Sequence, residues 1–202
     1  PAPVWQDIVT LALREDLGRR GDITSRALFS ATDQCRAGYV ARKSGVICGI
    51  EIVRHILLAC DPTLQFVAAL KDGDRVYADQ TIATVSGPTI AILEAERTTL
   101  NFLSHLSGIA TLTRSYVDLL QDTGTMVCCT RKTTPGLRAL EKYAVSCGGG
   151  ANHRFGLDDG VMIKDNHIAV AGDLGKAITR ARSAVGHMIK IEVEVETIAQ
   201  LE

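Results

Sequence analysis

The sequence predicts an α/β protein whose first third is a small α+β unit and whose later part begins an α/β barrel. Three observations lead there. The first third mixes helical and alternating apolar periods. From Met126 onward strand candidates alternate with helical stretches, the order expected when parallel strands are joined by helical crossovers. Polar and basic groups follow those later strands directly, where α/β barrels carry their chemistry.

The elements follow in order. Val4, Trp5, Ile8, Leu11 and Leu13 recur at roughly helical spacing and Gly18 ends the run, so a helix is expected from Val4 to Leu17. Arg36 to Ile50 alternates imperfectly and predicts strands broken at Gly45 and Gly49, after which Glu51 to Cys60 returns to helical spacing. Lys71-Asp-Gly-Asp is a turn, and Arg75 to Pro88 reads as two short strands around Ala78-Asp-Gln. Pro88 to Thr123 carries two helical patterns with a break expected at Ser107-Gly108, and Gln121-Asp-Thr-Gly closes them. Beyond lie strand candidates at Met126–Cys129, Val161–Ile163 and Ile189–Val195, separated by helices over Gly136–Cys147 and Leu174–Val185. The domains are placed at residues 1–108 and 109–202. The sequence stops where a helix should follow the third later strand, so the barrel is expected to be C-terminally incomplete.

Composition narrows the function classes. With 202 residues and 46% apolar side chains, the chain can bury a substantial core. Lys plus Arg (22) nearly cancels Asp plus Glu (23), so no global field draws the protein to nucleic acid or an anionic membrane, and any anion site must be built locally. No apolar stretch is long enough to span a bilayer, and no targeting segment is expected. The six cysteines show no Cys-x-x-Cys or zinc-type spacing, which fits reduced thiols in a cytoplasm.

Four stretches could carry chemistry. Thr130-Arg-Lys-Thr-Thr-Pro-Gly sets Arg131 and Lys132 beside hydroxyls between a strand candidate and a helix. A planar guanidinium suits a carboxylate or phosphate and a lysine adds a compact charge, although a solvated loop explains the same residues. Gly148-Gly-Gly-Ala-Asn-His-Arg brings His153 and Arg154 together; its glycines read first as a helix cap and second as an anion cradle. Lys164 opens Lys164-Asp-Asn-His at the mouth of an apolar strand, where burial makes its charge costly without an anion nearby. Glu192 and Glu194 alternate with valines and so share one strand face. Arg97, by contrast, reads as a surface arginine paired with Glu94 at i to i+3.

Taken together, Glu15-Asp-Leu-Gly, Gly21-Asp-Ile-Thr-Ser, Ala95-Glu-Arg-Thr, Leu103-Ser-His-Leu-Ser-Gly-Ile-Ala-Thr, Thr130 to Arg138, Glu141 to Val145, Gly148 to Arg154 and Ile163 to His167 resemble the quinolinate phosphoribosyltransferase family. The resemblance implies an N-terminal open α+β sandwich followed by an α/β barrel, in a homodimer in which Arg97 is donated to the neighbouring active site. It implies that Thr130, Arg131, Lys132, His153, Arg154 and Lys164 bind substrate, with Lys132, His153, Lys164 and Glu194 in catalytic roles. Glu194 is implied to lie near the ribose hydroxyls and Mg2+ of phosphoribosyl pyrophosphate. Cys129 departs from the Asp or Gly of many relatives and is expected to be a small buried side chain.

The activity implied is transfer of phosphoribosyl to quinolinate with loss of carbon dioxide, a step of NAD biosynthesis. Electrostatic positioning of two anionic substrates should outweigh acid or base catalysis. Two other readings stay open: a same-fold paralogue associated with molybdenum transport, and a non-catalytic anion-binding fragment.

Overall fold

A computed structural model describes residues 3–202, with side chains from residue 5 onward; Val4 of the expected apolar stripe therefore lies outside the described side chains. The chain forms two compact units, one ending at Asn152 and the other running His153–Glu202. Position 108, the boundary expected from sequence, falls within a continuous helix.

The first unit opens with α1 (Pro3–Leu17), stopped as expected at Gly18 in the left-handed region (φ +54°). A short helix not expected from sequence follows, α2 (Ile23–Leu28), whose N-cap Asp22 accepts hydrogen bonds from the Thr24 and Ser25 amides. Next come β1 (Gln34–Val40), β2 (Gly45–Val46), α3 (Ile50–Cys60), β3 (Gln65–Ala68), β4 (Arg75–Val76) and β5 (Thr81–Pro88). They form an antiparallel sheet in the order β1-β5-β3, with Tyr39 opposite Ala83 and Phe66 opposite Val85, and a separate antiparallel pair β2-β4. β3 was not anticipated, because four residues are too few to show a period.

A 31-residue helix, α4 (Thr89–Leu119), runs without interruption through Ser107-Gly108, which corrects the expected break. The reason is tertiary. Leu103, Leu106, Ala110 and Thr113 continue one buried stripe across the glycine. Ser107 Oγ accepts from the Cys48 amide at 3.0 Å and Thr111 Oγ1 from the Val46 amide at 2.9 Å, so the helix also satisfies the β2 segment. Those gains exceed the roughly 1 kcal/mol that a mid-helix glycine costs. α3 lies against α4 around Ile56, Leu57 and Leu106, all fully buried. The unit closes with α5 (Arg138–Cys147), which packs on α4.

The expected strand at Met126–Cys129 reduces to one parallel bridge, Cys128 opposite Ala151. Its two hydrogen bonds, Cys129 N to Ala151 O and Ala151 N to Val127 O, have no continuation, because Gly148–Gly150 turns away on one side of the bridge partner.

The second unit holds β6 (Val161–Ile163), α6 (Asp165–Ala171), α7 (Leu174–Ala184), β7 (Ile191–Val193) and α8 (Ile198–Leu201). β6 and β7 pair in parallel, with Met162 opposite Glu192 and Ile163 opposite Val193. Two helices supply the crossover that such a pair requires. β7 is shorter than the expected Ile189–Val195, and α6, opened by Lys164-Asp-Asn-His itself, was not expected.

Candidate functional site

The first unit presents the loop from Thr130 to Gly136 between the Cys128 bridge and α5. Thr130 Oγ1 accepts from the Lys132 amide at 3.1 Å, a local turn that fixes the start of the loop. Arg131 is half-buried, and its Nε is buried with no hydrogen-bond partner among the described residues. Lys132 is exposed and in no ion pair among them.

The far end of the loop is tied down by Glu141. Its buried carboxylate accepts from the Thr134 amide at 3.1 Å and from His105 Nε2 at 2.9 Å. Burial alone would push this carboxyl up, but the hydrogen bonds from Thr134 and His105 outweigh it and hold Glu141 below the ordinary glutamate range. Arg138 Nε donates to Thr133 Oγ1 at 3.1 Å.

Lys142 is 4% exposed and donates from Nζ to Cys129 Sγ at 2.9 Å; the Cys129 thiol in turn donates to Asn152 Oδ1 at 3.2 Å. Cys129 is half-buried and polar in its contacts, where a small buried side chain was expected. His105, Glu141 and Lys142 were not singled out as site residues from sequence. The one signal in the sequence is two adjacent charges, Glu141 and Lys142, between Leu140 and Tyr143-Ala144.

Gly148 is the C-cap of α5 and Gly149 follows at φ +87°, which bears out the cap reading of the glycine run. Arg97 is exposed on α4. The expected pair with Glu94 does not form. Glu94 instead accepts from Arg26 Nη2 at 2.9 Å and from the Asp22 amide at 3.2 Å, leaving Arg97 without an ion pair among the described residues.

The second unit brings His153, Arg154, Lys164, Glu192 and Glu194 onto its parallel strands and their adjoining turns. His153 Nδ1 accepts from the Arg154 amide at 2.8 Å, which leaves the Nε2 hydrogen for the Glu192 carboxylate at 3.0 Å. Arg154 is half-buried and donates from Nη1 to Gly160 O at 2.8 Å. Lys164 N-caps α6, where its amide donates to His167 Nδ1 at 2.9 Å, and its ammonium meets Glu194 at 2.8 Å. Of the two acidic residues expected to share a strand face, Glu192 thus accepts from an imidazole N–H and Glu194 meets an ammonium, both of the same unit. Glu194 also lines a cavity of about 280 Å³ with Asp165, Ile168, Ala169, Glu196 and Gln200. A more open groove of about 550 Å³ along β1 and β5 contains none of the predicted site residues.

Comparison with known proteins assigns the family. Residues 22–107 match the quinolinate phosphoribosyl transferase N-terminal domain and residues 109–202 its C-terminal domain. The chain is 50% identical to a probable nicotinate-nucleotide pyrophosphorylase (carboxylating) of Bacillus subtilis over 93% of its own length and 64% of the relative's. It is 42% identical to a protein of the same description from Methanothermobacter thermautotrophicus, over 95% of this chain and 68% of that one. The crystal structure of NadC from Streptococcus pyogenes superposes with a TM-score of 0.95 at 40% identity, covering 99% of this chain and 70% of that chain. The chain thus spans under two thirds of the Bacillus subtilis relative, while its fold is that of the family's α+β sandwich and the early part of its α/β barrel. On the two domain matches and these identities, the chain belongs to the quinolinate phosphoribosyltransferase family.

Proposed function

We propose that this chain transfers the phosphoribosyl group of phosphoribosyl pyrophosphate to quinolinate with decarboxylation, giving nicotinate mononucleotide, carbon dioxide and pyrophosphate in NAD biosynthesis. The observation that carries the reading is Arg131. A buried guanidinium N–H without an acceptor costs free energy unless an anion meets it, and Arg131 stands beside Lys132 in a loop fastened by a buried carboxylate. Quinolinate offers two carboxylates to such a cradle.

The residues divide the work as follows. In the first unit Arg131 and Lys132 hold and neutralise the carboxylates, with Thr130 as a neutral donor; in the second, Arg154 is assigned to substrate by the family resemblance. Attack of the pyridine nitrogen on the anomeric carbon breaks the bond to pyrophosphate, so two negatively charged reactants must be held against each other. Fixed cations lower that cost without any rearrangement at the moment of reaction. Loss of the 2-carboxyl group then leaves an electron pair on ring carbon 2 beside the positive ring nitrogen, and a proton completes the product. His153, held as the Nε2–H form by the Arg154 amide, and Lys164 are the proton donors at hand in the second unit.

Glu194, a hard oxygen donor lining the cavity of the second unit, would help to hold Mg2+, which when bound would neutralise pyrophosphate charge. Arg97, exposed and outside any ion pair among the described residues, suits donation to a neighbouring subunit in a homodimer. The domain boundary at 108/109 is retained, supported by the ranges of the two family matches. A cytoplasmic location is supported by six free cysteines, and no described helix is long and apolar enough to cross a membrane.

The test is formation of nicotinate mononucleotide from quinolinate, phosphoribosyl pyrophosphate and Mg2+, with nicotinate as the alternative acceptor. Product from quinolinate alone supports the reading. Product from nicotinate at an equal rate contradicts it.

A further inference from the structure

The fold brings together two cysteines that no sequence spacing connects. Cys48 stands in the turn between β2 and α3 and is 0% exposed; Cys147 is the half-buried last residue of α5. Their sulfurs and a carboxylate oxygen of Asp72 all lie within 4.8 Å of one another. The carboxylate already has its partners. Asp72 Oδ1 accepts from the Gly49 and Ile50 amides at 2.8 and 3.0 Å, capping α3, and Oδ2 accepts from the Tyr143 hydroxyl at 2.9 Å. Asp72 is thus fixed and satisfied without a cation, and the two thiols are left facing each other.

We propose that Cys48 and Cys147 form a peroxide-oxidisable dithiol, in which Cys147 is the attacking and Cys48 the resolving cysteine. Exposure sets the roles, since a small oxidant reaches the half-buried sulfur before the fully buried one. The electrostatics agree. The neighbouring Cys48 thiol holds Cys147 below its ordinary range, while Cys147 and burial push Cys48 above its own. A thiolate poised next to a resolving thiol is the arrangement of redox-sensing cysteines.

The chemistry balances with hydrogen peroxide as oxidant. The Cys147 thiolate attacks one peroxide oxygen, the O–O bond breaks, and hydroxide leaves to be protonated by solvent, so Cys147 becomes a sulfenic acid. The Cys48 sulfur then displaces that oxygen, which departs as water with the Cys48 thiol proton. In sum, two thiols and one peroxide give one disulfide and two waters, each sulfur losing one electron to the peroxide oxygens. Side-chain rotation must close the sulfurs to about 2.05 Å.

The experiment treats the reduced full chain with a small molar excess of hydrogen peroxide, blocks remaining thiols with iodoacetamide, and maps peptides by mass spectrometry without reductant. The expected result is a Cys48–Cys147 linked peptide, two hydrogens lighter than the free pair and released by dithiothreitol. Cys147→Ser should lose the link and leave Cys48 reduced. Cys48→Ser should let Cys147 advance to the sulfinic acid; if that buried change prevents folding, the wild type and Cys147→Ser still decide. The proposal is overturned if Cys147 over-oxidises in the wild type without a link. It is equally overturned if the link forms through the exposed Cys128 or through Cys129 instead. Retention of zinc by the reduced chain, with both thiols then inert to peroxide, overturns it in favour of a Cys-Cys-Asp metal site.

Discussion

His105 Nε2 donates to the Glu141 carboxylate at 2.9 Å, and this bond fastens α4 to the helix that carries the basic loop. Because the same carboxylate accepts from the Thr134 amide, one buried acid holds both the helix contact and the loop backbone. Glu141→Ala strands those donors. It is expected to cost about 1.5–3 kcal/mol in urea unfolding, the range for hydrogen bonds to a charged group.

The pH dependence of that contribution has a definite sign. The folded Glu141 lies below its ordinary value of 4.5, so its stabilisation is full above that pH and is lost as the pH falls through the folded value. Unfolding midpoints measured from pH 6 downward should therefore fall less steeply below about pH 4.5 in Glu141→Gln than in the parent. Parallel curves would remove Glu141 from the account.

Lys164 and Glu194 make a 2.8 Å pair whose side chains are 44% and 59% exposed. Such a pair contributes under about 1 kcal/mol to stability. Lys164→Ala should leave the thermal midpoint nearly unchanged yet lower turnover by about a hundredfold, the loss typical of one fixed catalytic donor. Equal losses of stability and turnover would make the pair structural.

At Arg131 the planar fork matters as well as the charge. Arg131→Lys should raise KM for the dicarboxylate by roughly ten- to a hundredfold, the effect of losing a charge-assisted hydrogen bond, with little change in kcat. Steady-state kinetics against the parent checks the split.

Gly148 is closed in by its neighbours. A Cβ there would meet Ala110 O at 2.5 Å and Thr113 Cβ at 2.6 Å, backbone and side-chain stem of α4 that cannot swing aside. Gly148→Ala is expected to destabilise by about 1–3 kcal/mol in denaturant unfolding. At Gly18, where nothing lies within 4 Å, the only penalty is the left-handed backbone.

The sequence was most legible where local pattern and burial agree. α1, α3, α5 and β5 form where helix or strand was expected, and Lys164 and Glu194 fall directly after strands β6 and β7. It misled where packing overrides a local signal. Gly108 reads as a break because its cost is local, whereas the buried stripe from Leu103 to Thr113 and the hydroxyls of Ser107 and Thr111 act at a distance. Arg97 and Glu94 read as a pair because spacing cannot show that Arg26, far away in the chain, competes for the carboxylate. The same holds for Lys142 against Cys129 and for Cys48, Asp72 and Cys147, whose proximity only the fold creates.

On the proposed function, the cradle around Arg131 recognises a pyridine dicarboxylate. Calorimetric titration of the chain and of Arg131→Ala with quinolinate, and with nicotinate as the monocarboxylate control, tests it most directly. Saturable quinolinate binding at least about tenfold tighter than nicotinate binding, lost in Arg131→Ala, is the expected result. Equal affinity for the two acids, or undiminished quinolinate binding by the variant, would contradict it.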